Sequence, residues 1–140
     1  MNATAPSVQL ILDAEFPLVI LSSEADIRDR CVKKIIQFAW EHIAQPIRLQ
    51  GLADLVELSP RQLSRLFTSE IKQSPMHYVH RLRLEYACYF LVYSRLTVKE
   101  ICLEIGWENE ANFRNEFKKR KGYPPCEFRY RERSENRVHF

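Results

Sequence analysis

Three features of this 140-residue chain predict an all-α protein. Apolar residues recur every three or four positions from Ile27 onward, the rhythm of one helix face. Ser-Pro pairs, Asn and Gly stand where helices would start and stop. A frame of short helix, tight turn and second helix occurs twice, with one long helix between.

Taken in order, residues 1–26 differ from the rest: the clusters VQLILD and FPLVILSS are broken by Pro6 and Pro17. Short strands, a loose arm and the remnant of a preceding domain are all open there. From Ile27 the pattern is helical, with Ile27, Cys31, Ile35, Phe38, Ala39 and Ile43 on one side and Pro46 after the stop. A short helix fits Leu49 to Val56. The next is announced by LSPRQLSRLF: Ser59 as cap, Pro60 in the first turn where its missing N–H costs nothing, and Gln62 to close a capping box. It runs to about Ile71, with Leu63, Leu66 and Phe67 inward and Arg61, Gln62, Ser64, Arg65 and Thr68 outward.

Ser74 and Pro75 open a long helix through Val92, 18 residues or about 27 Å. Val98 to Ile105 is short, Gly106 ends it in a left-handed conformation, and Asn109 caps a helix through Lys121. Gly122 stops that one. Pro124 and Pro125 introduce a last helix, Cys126 to Arg133, and residues 134–140 form a tail.

Composition narrows the function classes. Residues 48–133 hold 16 Lys and Arg against 11 Asp and Glu, a net of +5, whereas residues 1–47 carry a net of −2. The excess allows a polyanionic partner without demanding one. Cys31, Cys88, Cys102 and Cys126 are dispersed, without C-x-x-C spacing, and read as reduced thiols. His77 and His80 lie three apart but lack a third ligand, so no metal site and no cofactor is expected. No apolar run is long enough to span a bilayer and no signal peptide is recognisable, which implies no membrane partner and a cytoplasmic location. Ser, His and acidic residues are scattered and no Gly-rich phosphate loop occurs, so no enzyme activity is expected.

The repeat carries the most information. LADLVELSPRQLSRLFTSEIKQSPMHY superposes on ICLEIGWENEANFRNEFKKRKGYPPCEF with one extra residue in the second turn. Ala53 meets Cys102, Leu58 meets Trp107, Leu63 meets Phe113, Phe67 meets Phe117, Pro75 meets Pro125 and Tyr78 meets Phe128. Each frame has the layout of a helix-turn-helix. Ala53 and Cys102 are small where two helices cross; with Leu63, Phe67, Gly106, Trp107, Phe113, Phe117 and Pro125 they form the expected core.

On these residues, on LRLEYACYFL in the long helix and on VKEICLEIGWENEANFRNEFKKRKGYPPCEFR, residues 28–133 resemble the DNA-binding domain of AraC/XylS-type transcription regulators. The resemblance implies a domain over 27–133, with a first helix-turn-helix unit over about 27–73, a linker helix over 75–92 and a second unit over 97–133. Such domains lay the second helix of each unit in a major groove of double-stranded DNA. That makes Arg61, Gln62, Ser64 and Arg65, and Glu110, Ala111, Asn112, Arg114 and Asn115, the expected base readers, with Arg suited to guanine and Gln to adenine. Thr68, Lys118, Lys119 and Lys121 are expected at phosphates. Glu110 would repel phosphate and fits a helix N-terminus better.

Trp107 stands where the family usually has Phe, Asn112 where an aromatic is common, and Arg114-Asn115 where Ser-Arg is typical. The last departure changes the reading face, so no target sequence carries over. Arg83 and Glu85 occupy family positions, and Arg81 and Glu85 have the spacing of a surface ion pair. RNA polymerase is a possible second partner, and a small-molecule effector is not expected within this chain. The rival reading keeps the fold but binds protein, as an adaptor or anti-activator; its support is the weak net charge and the acidic start of the second reading helix.

Overall fold

The computed structural model describes residues 29–136, and all regular structure among them is helical. Seven helices follow in order: α1 (Arg30–Glu41), α2 (Leu49–Leu55), α3 (Pro60–Ile71), α4 (Pro75–Tyr93), α5 (Val98–Ile105), α6 (Glu110–Lys121) and α7 (Pro125–Asn136). The expectations for residues 1–26, and for Ile27 as a first apolar position, lie outside the described residues.

Local chemistry sets the boundaries. Asp29 caps α1 by accepting from the backbone N–H of Cys31 and Val32. Ser59 and Gln62 close the expected capping box at α3: the Ser59 hydroxyl accepts from Gln62 N–H at 3.1 Å, and Gln62 Oε1 accepts from Ser59 N–H at 2.9 Å. A second box, Thr97 with Glu100, starts α5. Ser74 and Asn109 cap α4 and α6. Gly106 and Gly122 adopt the left-handed conformation at φ 72° and 92°. α2 stops one residue short of the expected Val56, and α4 continues one residue past Val92. α7 runs three residues beyond Arg133, so the tail expected over 134–140 begins as helix.

The 19-residue α4 buries side chains over most of its circumference, Tyr78, Leu82, Tyr86, Phe90 and Leu91 among them, and leaves one stripe, His77, Arg81, Glu85 and Tyr89, exposed or half-buried. A helix with so broad an apolar face belongs in a core. It packs on α3 of the first unit and on α5 and α7 of the second, while α1 closes over α3. Trp40 Nε1 donates to Tyr78 Oη at 3.3 Å, and Tyr86 Oη donates to the Trp40 carbonyl at 3.3 Å. The buried indole and phenols therefore keep their polar ends satisfied.

The repeat holds at the level of single bonds. Leu58 N–H donates to the Ala53 carbonyl at 3.0 Å, and Trp107 N–H donates to that of Cys102 at 2.9 Å. The Phe67 and Tyr78 rings meet edge to face at 5.6 Å, as Phe117 and Phe128 do at 5.2 Å. Ala53, Leu63, Phe67, Phe113 and Phe117 are fully enclosed, and Cys102, Trp107 and Pro125 are buried with them.

Three arginines tie the chain together from inside. Arg83, only 7 % exposed, donates to the carbonyls of Ile43 at 3.3 Å and Gln45 at 2.9 Å. Arg129 donates to the carbonyls of Leu91 and Leu96, and Arg133 to those of Val92 and Ser94. The bonds to Leu91 and Val92 satisfy carbonyls that the end of α4 leaves without helical partners, and those to Ser94 and Leu96 hold the segment that follows. Glu85 does not pair with Arg81: Lys121 Nζ donates to Glu85 Oε1 at 2.6 Å, because α6 ends against that side of α4.

Candidate nucleic-acid interface

α3 and α6 each bury only two side chains, Leu63 with Phe67 and Phe113 with Phe117. The remaining positions of both helices face outward or lie at the edge of that contact. In α3, Arg61, Gln62, Arg65 and Thr68 are exposed and Ser64 is half-buried. Among the described residues Arg61 and Arg65 have no hydrogen-bond or ion-pair partner, so two guanidinium groups stand one helical turn apart and unengaged. Gln62 differs. Its carbonyl oxygen is held in the capping box, so bidentate reading of adenine, which uses both carbonyl and amide, requires that box to open.

The α6 face is already bonded to itself. Glu110 accepts from Arg114 Nε at 3.1 Å and Nη2 at 2.9 Å, and this bond holds the Arg114 guanidinium above its ordinary pKa. Asn112 Oδ1 accepts from Trp107 Nε1 at 3.0 Å, which gives the indole its buried partner and leaves the Asn112 amide pointing outward. Ala111 and Asn115 are exposed. Glu110 is half-buried in the first turn, where a carboxylate is favoured by the helix N-terminus.

The lysines divide. Lys118 is exposed, Lys119 is 80 % exposed with its Nζ 3.5 Å from Glu116, and Lys121 is drawn onto Glu85 with both side chains about a fifth exposed. Lys118, Lys119, Arg120 and Lys121 fill the last turn of α6, where cations offset the helix dipole.

Sequence reasoning missed several groups. Arg81 lines a cleft between α4 and α6 together with His77, His80 and Arg120. Arg120 itself was legible within the basic run 118–121, which reads as a phosphate clamp or a complement to the helix dipole; what was missed is the facing side of α4, which depends on how the two helices pack. The His80 ring meets Trp107 edge to face at 5.1 Å. Burial, then Arg83, hold its pKa below the ordinary value; Glu116 opposes them, and His77 adds the smallest lowering effect. Burial pushes the Cys88 and Cys102 thiols up to about 12 and about 11, so both are protonated at neutral pH. Among the described residues no group of His, Cys, Asp and Glu is arranged to hold a metal ion, and no helix is long and apolar enough to cross a membrane.

Residues 52–131, more than half of the chain, match the family described as Helix-turn-helix domain. An uncharacterized HTH-type transcriptional regulator of Haemophilus influenzae is 32 % identical over 81 residues, which are 58 % of this chain and 27 % of that protein. The XylDLEGF operon transcriptional activator 2 of Pseudomonas putida is 28 % identical over 102 residues, 69 % of this chain and 64 % of its own length. This chain covers only 27 % and 15 % of the length of the first curated relatives. Among solved structures, the C-terminal domain of AraT, a response regulator from Geobacillus stearothermophilus, superposes with a TM-score of 0.70 at 28 % identity, covering 73 % of this chain and 85 % of that one. The DNA-binding domain of AdpA, solved with a target DNA, gives a TM-score of 0.75 at 22 % identity over 79 % of this chain and all of that domain, a likeness of fold. With two helix-turn-helix units on one linker helix, and with a family match that runs from α2 in the first into α7 in the second, this chain belongs to the AraC/XylS-type helix-turn-helix family.

Proposed function

We propose that this chain is a sequence-specific regulator of transcription that binds double-stranded DNA by laying α3 and α6 in successive major grooves. The observation that carries this is the unengaged pair Arg61 and Arg65 on the outer face of α3, at the station where such helices meet base edges. The AdpA domain of similar fold was solved on its target DNA, which supports the same use of the fold. Arg61, Ser64 and Arg65 are the base readers of the first unit, with Gln62 joining if its capping box opens. Ala111, Asn112, Arg114 and Asn115 read in the second, and Glu110 acts through the helix start and through Arg114. Thr68, Lys118 and Lys119 meet phosphates; Lys121 serves mainly as the tie to Glu85.

The DNA-binding domain is read over residues 27–133, with units over about 27–73 and 97–133 about the linker helix, and residues 1–26 as an N-terminal arm or the remnant of a preceding domain; α7 itself continues to residue 136. The protein works in the cytoplasm, without catalysis or cofactor, and effector control lies outside this domain. A second reading has one observation in its favour. Because Glu110 occupies Arg114, the second unit can be weak on DNA and meet a protein such as RNA polymerase instead.

Selection of bound sequences from random duplexes, followed by footprinting, tests the reading. The expected site is asymmetric, about 15 to 20 base pairs long, with two unlike boxes about 10 base pairs apart. An obligatory palindrome bound only by a dimer, with one recognition helix per half-site, would overturn it. Protection of a single box by one chain would favour the second reading.

A further inference from the structure

Base reading leaves one feature of the surface unused. A cleft of about 540 Å³ opens between α4 and α6, where His77, His80 and Arg81 of the linker face Glu116, Lys119 and Arg120 of the second recognition helix. His80 and Asn112 also line an adjoining trough that reaches Arg48 at the start of α2. A polar channel therefore passes from the flank of the second reading helix toward the first unit. Its charge is one-sided: Arg81, Lys119 and Arg120 oppose the single carboxylate of Glu116. The depression farther along α4 has the reverse balance, with Glu85 and Glu132 around Lys121. The cationic balance therefore holds in the cleft and its adjoining trough and is reversed farther along α4.

Sites for small organic molecules are lined mainly by apolar groups. Here the walls include aliphatic and ring carbon, but seven of the nine lining residues are charged or polar and three of them are cations, which matches an anionic ligand. A chain of phosphates fits better, because several cations on two elements can each take one oxyanion. We propose that this cleft seats backbone phosphates of the duplex beside the groove read by α6, with Arg81 and Arg120 as the ionic contacts and the linker helix as a third DNA-binding element. The inference rests on the DNA-binding reading above.

His80 makes the seat sensitive to protons. The groups that face it are His77, Arg81 and Arg83 on α4, Glu116, Lys119 and Arg120 on α6, and Glu108 in the turn before α6. Burial first, then Arg83, hold its pKa below the ordinary imidazole value in the free protein, partly offset by Glu116. A phosphate in the cleft favours the imidazolium and raises the pKa in the complex. Protons are then taken up on binding, so affinity rises as pH falls through the window between the free and bound pKa values. The ceiling is about tenfold for each unit of pKa difference.

The experiment uses the whole chain and the selected two-box duplex, with affinity followed by fluorescence anisotropy between 50 and 200 mM salt. Arg120→Ala and Arg81→Ala are each expected to lower the salt slope by about 0.9, equally for cognate and random duplex. Glu116→Gln is expected to tighten binding severalfold, an outcome that damaged folding cannot produce. Methylphosphonate replacement of single phosphates is expected to weaken the wild type at positions flanking the second box and to add nothing in Arg120→Ala. His80→Gln is expected to flatten the rise in affinity from pH 7.5 to 5.5. Wild-type salt slopes in both arginine variants, with sequence-specific binding intact, would overturn the seat while leaving the DNA-binding reading standing. So would inorganic phosphate held in the cleft and left undisturbed by duplex. Absence of any sequence preference in the wild type would instead count against the reading beneath it.

Discussion

The turn between α2 and α3 places Glu57 at φ 58°, and the matching station between α5 and α6 is Gly106 at φ 72°. One unit tolerates a side chain in a left-handed conformation and the other does not, for a reason outside the turn itself. Glu57 is exposed, so its Cβ points into solvent. A Cβ at Gly106 would lie 2.7 Å from the Ile43 carbonyl oxygen and 3.0 Å from the Ala44 backbone. That segment belongs to the first unit and is gripped by Arg83 of the linker. The second turn is thus also the contact between units. The reading helices differ as well: among the described residues Arg61 and Arg65 of α3 have no partner, whereas α6 couples Arg114 to Glu110 and Asn112 to Trp107. A repeated frame can therefore carry unequal duties, one half tuned for contact with a partner and the other for holding the molecule together.

The largest expected effect asks whether the two cores are equivalent. Phe67→Ala and Phe117→Ala each remove a ring with no exposed surface that packs edge to face on its counterpart, Tyr78 or Phe128. Each is expected to cost about 3 to 5 kcal/mol of folding stability. Because α4 buries residues in both units, thermal unfolding of either variant is expected as one transition for the described domain. Two separated transitions by calorimetry would show that the units fold independently, and would break the statement that the linker joins their cores.

Gly106→Ala comes next, and Glu57→Gly is its control. The alanine meets both an unfavourable φ and the backbone of Ile43 and Ala44, and is expected to destabilise by about 1 to 3 kcal/mol. Glu57→Gly relieves a left-handed residue with nothing packed on it, so its effect is expected near zero or slightly stabilising. Equal losses in both variants, by denaturant unfolding, would mean that the turn and not the contact between units sets the requirement for glycine.

Much of this was legible beforehand, and the boundary of what was legible is physical. Caps and stops are local chemistry, so Ser59, Gln62, Ser74, Asn109, Gly106 and Gly122 could be placed from their neighbours in the chain. The register of the repeat was legible because burial leaves an apolar period, which put Phe67 over Phe117 and Tyr78 over Phe128. Partners across the fold were not. Nothing near Lys121 in the chain points to Glu85, 36 residues away; Arg83 stood out only as a family position, and Arg129 and Arg133 look like surface charges until the carbonyls they reach are known. Of the candidate site, the exposed stations were foreseen, but the commitment of Gln62, Asn112 and Lys121 to internal bonds depends on geometry that spacing does not encode. The left-handed Lys72 closing α3 was also missed, since residue type gives no warning there.

Base reading gives the next test. Arg65→Ala is expected to weaken binding to the selected duplex by about 1 to 3 kcal/mol and to relax preference at one or two base pairs. Arg114→Ala is expected to lose less, because the wild-type side chain must first part from Glu110. Competition binding with single-base variants of each box separates the two. An equal loss for cognate and random DNA in Arg65→Ala would remove its role as a base reader, and a larger loss in Arg114→Ala would reverse the ranking of the two units.

The smallest effect on stability sharpens the comparison most. In Glu110→Gln the fold loses one exposed i, i+4 ion pair, worth about 0.3 to 0.5 kcal/mol, and a favourable charge in the first turn of α6, worth a similar amount. The melting temperature is therefore expected to move little. On DNA the consequence is larger, because the guanidinium of Arg114 is released at the second reading face and a carboxylate that repels phosphate is removed. Total affinity is expected to rise, and preference at the second box is expected to shift toward guanine at one position. Repeating the selection from random duplexes with this variant reads both quantities at once. A second box that stays unchanged in sequence and strength would show that Glu110 does not restrain Arg114 on DNA, and the inequality of the two reading faces would then have to come from Asn112 and its bond to Trp107.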